Sequence, residues 1–379
     1  MILSGLLAIL AGLSLALLLW QWRVGRGFPL HRRVADASFA PAVTLLKPLK
    51  GCDETTEASL RSWLTQDYAG DVQILFGVAS ADDPACGVVR RLMAEHPHRD
   101  AQLVICADRL GINAKVSKLV QLQRQAKHGV ILVSDADVRV PPDLLANVVA
   151  PLKETGAGLV FCFYRLANAT TPAMRWEAVA INADFWSQVL QGRSLRPINF
   201  ALGAVMAVRR ETLEQIGGFA ALTDYLADDY QLGNRIAHAG GRIEICPVVV
   251  ECWSSPLRWR AVWRHQLRWA RTIRVCQPAP YFLSILANPT LWPLLWLAAQ
   301  PTPAVAGIAL ALIGVRMVAA WHLAVALTPG AAAAGTGLRA PVKDLFQAAL
   351  WLSAFAGNHI EWRGERYRLL KDGRLERGV

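Results

Sequence analysis

Seven cysteines in 379 residues form no CxxC pair and are odd in number. Neither a zinc site of paired cysteines nor a disulfide framework is indicated, and the folded part reads as belonging to a reducing, cytoplasmic compartment. The glycine signatures of phosphate cradling are missing too. Neither GxGxxG nor GxxxxGK followed by Ser or Thr occurs, so the dinucleotide-binding and P-loop readings lose their main support. Acidic residues are scarce, 29 against 40 lysines and arginines, for a net charge of +11. That excess does not form a free basic tail for nucleic acid, because the arginines stand beside tryptophans and apolar segments. A negatively charged membrane face explains them better. Internal repeats are absent, and the low-complexity stretch is confined to Ala331–Gly337.

What is abundant is apolar surface: 54% of residues are hydrophobic and the mean hydropathy is +0.28, richer than a soluble protein. Residues 1–22 read as a transmembrane helix, since Ile2 to Trp20 carries no charge and is long enough to cross about 30 Å of hydrocarbon. A cleaved signal peptide is disfavoured, because no basic segment precedes the run and no small-x-small site follows it. Arg23, Arg26, Arg32 and Arg33 come directly after, which predicts an external N-terminus and a cytoplasmic domain beyond it. A C-terminal membrane region covers 281–357. Tyr281–Ala299 and Ala304–Leu327 read as two spans joined by Gln300-Pro301-Thr302-Pro303, whereas Val342–Gly357 is shorter, opens on Lys343-Asp344, and lies in the interface or re-enters. The basic stretch 358–379, with Arg363, Arg366, Arg368, Lys371, Arg374 and Arg377, holds the C-terminus inside. Arg316 falls mid-span, where a charge costs about 2.5–3.5 kcal/mol on insertion scales. It must face protein, or its span must tilt.

Residues 40–255 alternate short β-rich runs with helical ones. Val43–Leu46, Val72–Val78, Gln102–Cys106 and Val130–Val133 read as strands, separated by helical Glu57–Leu64, Val88–Glu95 and Lys115–Ala126. Later strands are expected at Gly158–Tyr164, Ala204–Val208 and Ile243–Val250. This βαβ succession predicts an α/β fold with a mostly parallel, doubly wound sheet, whose ligands sit at the carboxyl ends of its strands. Val130–Val133 runs straight into Ser134-Asp135-Ala136-Asp137. Alternate residues of an extended chain point to one side, so one carboxylate can reach a divalent cation while the other orients the ligand. A solvated turn at a strand end is the competing reading. Likewise Asp228-Asp229 is either a helix cap or a pair whose like charges raise one carboxyl toward neutrality, where it could act as a base.

Residues 256–278 hold six arginines (258, 260, 264, 268, 271, 274) interleaved with Trp259, Trp263 and Trp269, with no acid. This reads as an amphipathic helix in the headgroup layer. A second amphipathic stretch, Ala173–Gln191 with Trp176, Phe185 and Trp186, either lines the approach of an acceptor or is an ordinary packed helix.

Taken in order, Asp82-Asp83-Pro84-Ala85, Gly111-Ile112-Asn113-Ala114-Lys115, Asp135-Ala136-Asp137-Val138-Arg139-Val140-Pro141, Ala227-Asp228-Asp229-Tyr230 and Arg268-Trp269 resemble the ceramide glucosyltransferase family. The chain looks most like its bacterial branch that adds N-acetylglucosamine to a polyhydroxylated hopanoid. The resemblance implies a GT-A fold, an inverting mechanism, a UDP-sugar donor, Mg²⁺ or Mn²⁺, a membrane-lipid acceptor such as bacteriohopanetetrol, and a place in the bacterial inner membrane with the catalytic domain in the cytoplasm. It also implies residue roles. Asp82 or Asp83 would recognise base and ribose; Lys115 and Asp135 would hold the uridine diphosphate; Asp135 and Asp137 would carry the metal; Asp229 would be the general base, with Arg268 and Trp269 completing the catalytic set. The family motif that ends in Arg-Trp begins with Gln or Arg; here His265 takes that place, with Gln266 beside it as a donor-site residue. A ceramide or other lipid glucosyltransferase using UDP-glucose is the nearest alternative. A processive polysaccharide synthase shares the aspartates but needs more spans, and a non-catalytic nucleotide-sugar-binding membrane protein would not need the full set of acids.

Overall fold

The computed structural model describes every residue except 329, 331, 332, 334, 363 and 379. Three alanines of the 331–337 stretch and Arg363 of the basic C-terminal segment thus lie outside the described residues. Eight strands form the main sheet: β1 (Val43–Pro48), β2 (Val72–Val78), β3 (Asp100–Ile105), β4 (Val130–Ser134), β5 (Val138–Arg139), β6 (Ala157–Leu166), β7 (Val205–Arg209) and β8 (Arg242–Cys252). Their order is β3-β2-β1-β4-β7-β6-β8-β5. The first four are parallel, β7 runs antiparallel between β4 and β6, and β6 pairs parallel with β8. The expected strands are present with boundaries shifted by one or two residues; two-residue β5, antiparallel to β8, was too short to be read from the sequence.

Both faces of this sheet are covered, and the period of two sorts its side chains. Leu45, Val130 and Leu132 face one layer with helices Thr56–Leu64 and Ala85–Glu95, whereas Leu46, Ile131 and Val133 face the other with helix Ala114–Gln123. Each fully buried aliphatic side chain is worth about 1.5–3 kcal/mol, so a one-residue slip in β4 would expose neither face and still destroy both packings.

Helices Ile2–Gly27 and Pro303–Leu327 are long and apolar enough to cross a membrane. The single span expected over Tyr281–Ala299 is instead a bent pair, Pro278–Ala287 and Leu291–Ala299, at 54°. Asn288-Pro289 is the cause. A residue before proline is excluded from the α region, and the Asn288 carboxamide oxygen accepts from Thr290 N and Leu291 N to start the second helix. Arg316 does face protein: its guanidinium lies at 2.9 Å from both Asp184 carboxylate oxygens and at 2.8–2.9 Å from those of Asp344, with Lys343 beside them. Asp184 belongs to a short π-helical segment, Ala180–Phe185, inside the Ala173–Gln191 stretch. The last turns of Pro303–Leu327 contribute Ala320, Leu323, Ala324 and Leu327 to the core beneath the eight-stranded sheet itself.

Past helix Thr336–Phe355 the basic segment folds. Strands β9 (His359–Trp362), β10 (Glu365–Leu369) and β11 (Leu375–Arg377) form an antiparallel sheet.

Candidate active site

The carboxyl end of β4 delivers Asp135 to the centre of the site. Helix Ala114–Gln123 delivers Lys115: Asn113 caps that helix, accepting from Lys115 N at 2.9 Å, and donates through Nδ2 to Tyr225 O at 2.8 Å. The cap both starts the helix and ties it to the chain entering Asp228. As a result Lys115 Nζ sits 2.8 Å from Asp135 Oδ1 and 2.9 Å from Asp228 Oδ2. Helix Asp228–His238 begins with the acidic pair and lies close against the Phe200–Gly203 segment. Two glycines permit this. A Cβ on Gly233 would stand 2.4 Å from Ala201 N, and one on Gly203 would stand 3.1 Å from Asp229 Oδ2 and 3.5 Å from Asp135 Oδ2. Gly203 therefore leaves room between the two carboxylates.

Burial raises both members of the acidic pair, and Lys115 opposes the rise on each. Asp229, pushed further by the negative charge on Asp228, reaches about 6, while Asp228 is raised without losing its Lys115 pairing. Lys115 is held firmly charged, because Asp135, Asp228 and Asp229 outweigh the cost of its burial. Asp229 is the more open of the pair, and its Oδ1 accepts from the adjacent Tyr230 N at 2.8 Å. It is a carboxylate near neutrality facing the site.

Reasoning from sequence overlooked Lys47. It is fully buried on β1, donates to the Asp135 carbonyl and, at 3.3 Å, to Ser134 Oγ, and lies over the Trp63 ring. Burial lowers it to about 7. A lysine inside the apolar run Leu45-Leu46-Lys47-Pro48-Leu49 was the available signal.

The remaining expected residues divide. Asp83 accepts from Gly51 N at 3.0 Å and from Ala85 N at 2.9 Å, pinning the loop after β1 to the loop after β2, while Asp82 is exposed beside it. Asp137 is exposed on the Asp135 loop. Among the described residues no three His, Cys, Asp or Glu side chains converge as a complete metal cage. A part-exposed Asp135 with Asp137 is a half-set of hard oxygen ligands, which suits Mg²⁺ or Mn²⁺ completing its shell from phosphate oxygens and water. Trp269 reaches inward from helix Trp259–Cys276 and meets His265, Phe185 and Tyr164 with ring centroids 4.7, 5.7 and 6.4 Å away. Arg268 is partly buried on the same turn. Gln266 turns elsewhere: its Nε2 donates to Glu177 Oε1 at 2.8 Å, which His265 Nδ1 also meets at 2.6 Å. Gln266 and Trp269 line a cavity of about 150 Å³ beside the apolar helices, together with Phe185, Asn288 and the Asp184–Arg316–Asp344–Lys343 group.

The chain is similar to ceramide glucosyltransferase 3 of Caenorhabditis elegans, 28% identical over 222 residues that cover 56% of this chain and 46% of that protein. It is also similar to an N-acetylglucosaminyltransferase of Bradyrhizobium diazoefficiens, 24% identical over 247 residues, 61% of this chain and 49% of the relative. It spans about half the length of the curated relatives it matches. Among solved structures, a mannosyltransferase of Pyrobaculum calidifontis in complex with GDP-Man and Mn²⁺ superposes with a TM-score of 0.54 at 23% identity, over 89% of this chain and 99% of that one; the fold is GT-A. The model of glycosyl transferase family 21 matches residues 5–375, nearly the whole length, and the chain belongs to that family of glycosyltransferases.

Proposed function

We propose that this membrane-associated glycosyltransferase moves a sugar, N-acetylglucosamine, from its UDP donor to a hydroxyl of a membrane lipid with a polyhydroxylated head such as a hopanoid, with inversion. The observation that carries the reading is the convergence of Lys115, Asp135 and Asp228 around one another with Asp229 raised to about 6 beside them. Lys115 holds donor phosphate charge, and Asp135 and Asp137 would hold Mg²⁺ or Mn²⁺, which when bound neutralises charge developing on the departing diphosphate. Asp82 would recognise base and ribose from the loop that Asp83 fixes. An acceptor alcohol is a poor nucleophile at pH 7; Asp229 takes its proton as the oxygen attacks the anomeric carbon, the bond to UDP breaks, and the proton stays on the carboxyl. Arg268 adds positive charge and Trp269 a wall.

The lipid reaches the site from the membrane-side cavity, whose Trp269 wall leads through Tyr164 towards the carboxylates. Helices able to cross a membrane and the basic residues after Trp20 support an inner-membrane placement with the catalytic unit in the cytoplasm. The nematode relative favours ceramide and UDP-glucose as a second reading. Purified protein offered UDP-N-acetylglucosamine and UDP-glucose against hopanoid, ceramide and diacylglycerol acceptors tests both; transfer to none of these lipids would refute the proposal.

A further inference from the structure

The pocket flanked by Pro48, Leu49, Lys50, Lys115, Lys118 and Asp135 is roofed by the C-terminal sheet, through Trp362, Glu365 and Tyr367. Three lysines, Lys50, Lys115 and Lys118, beside the β1 and β4 ends offer positive charge to a diphosphate, and the roof sets an acid, Glu365, over them. The enclosed space is about 40 Å³. That is room for about one water molecule, whereas sites for small molecules and cofactors run to about 300–1,000 Å³. No nucleoside diphosphate fits beneath the roof as it stands.

The roof is also lightly fastened. Its own apolar cluster is small, Ile360, Tyr367, Leu369 and Leu375 against Leu226, with Ile112, Val275 and Trp362 packed on its edge. Arg109 reaches Glu365 at 3.3 Å and Tyr367 Oη at 3.4 Å, and Arg264 pairs with Glu361 at 2.7 Å; exposed ion pairs of this kind contribute little. The remaining ties are local. Leu375 N donates to Asp224 O and Leu226 N to Gly373 O around a Tyr225–Arg374 bridge, and Arg271 and Arg274 hold His359 and Asn358 from the Arg/Trp helix. A small apolar cluster set apart from the main core and edged by exposed ion pairs is the kind of unit that opens at less than the global unfolding free energy.

We infer that the C-terminal sheet of β9, β10 and β11 is a gate on the nucleoside-diphosphate pocket: it must lift for the donor to enter, and its closed position competes with donor binding. The inference rests on the donor site proposed above. It has a reversible test. Tyr225 and Arg374 face each other as a non-hydrogen-bonded antiparallel pair, whose Cα separation of about 4.5 Å suits a disulfide. In full-length protein in detergent, with the exposed Cys52 changed to Ser, Tyr225→Cys with Arg374→Cys can be locked by oxidation and released by dithiothreitol. UDP binding in Mn²⁺ should weaken at least tenfold on oxidation and recover on reduction, while the Cys52→Ser parent ignores both treatments. Arg109→Ala, which loosens Glu365 and Tyr367 without touching the pocket, should speed UDP association about two- to fivefold. A locked form that binds UDP as tightly as the reduced one overturns the gate alone. A parent protein that binds no UDP overturns the donor site and the gate together.

Discussion

Asp229 should impose an acid limb on the reaction at a pH where an ordinary carboxylate would be silent. Burial and the neighbouring Asp228 raise its carboxyl from 3.8 to about 6, so the ionised, basic form is present above that value and is lost as pH falls through it. With a pKa of about 6, about nine-tenths of the molecules carry the base at pH 7 and about one-tenth at pH 5, so turnover should fall by close to tenfold over that interval. A carboxylate left at 3.8 would lose less than about one-tenth of its activity over the same range. The assay is single-turnover transfer from a saturating UDP-sugar to a defined lipid in detergent, with UDP affinity followed in parallel to separate donor binding from chemistry. Asp228→Asn removes the larger of the two like charges that add to burial in raising Asp229, the other being Asp135, and should move the limb to lower pH with a modest loss of rate. Asp229→Asn keeps the shape but not the basicity and should cost roughly 10²–10⁴ in turnover with UDP affinity nearly unchanged. A rate flat between pH 7 and 5, or an Asp229→Asn variant that loses UDP binding rather than turnover, would refute the assignment.

Gly203→Ala puts a methyl group 3.1 Å from Asp229 Oδ2 and should lower turnover by up to about 10²-fold through misplacement of the base, with little change in melting temperature. Arg316→Met leaves the buried carboxylates of Asp184 and Asp344 to share Lys343, one cation for two acids, and should destabilise the protein by about 3–5 kcal/mol, read as a lower melting temperature in detergent. Excess EDTA should abolish transfer, and Asp137→Ala should reproduce that loss at any Mn²⁺ concentration the wild type tolerates; full turnover in EDTA would remove the metal from the scheme.

Wherever neighbours in sequence are also neighbours in space, the chain was legible. Strand β4 and the acids at its end could be read because a buried parallel strand is a short aliphatic run and its active loop follows directly. Lys115 was legible only through its motif; what places it is the Asn113 cap and the Tyr225 carbonyl, 112 residues apart in sequence. The Asp184–Arg316–Asp344 group was half visible: the arginine stood out in an apolar span, but Asp184 sits in a short π-helical segment with no local pattern to mark it. Strand β10 did carry a signal, the alternation of exposed Arg366 and Arg368 with buried Tyr367 and Leu369, which the basic composition of the segment obscured.

That same buried group has a geometric consequence. Arg316 stands on a helix able to cross the membrane, Asp344 on the helix after it, and Asp184 on the catalytic unit; one guanidinium grips both acids with two bonds each. A joint of this kind resists both sliding and tilting. With the helix in a bilayer, as proposed, this joint would hold the carboxylates at a set height, as a depth gauge is set. Selection among the hydroxyls of the proposed lipid acceptor would then follow from how far a head group rises out of the membrane as much as from what it is.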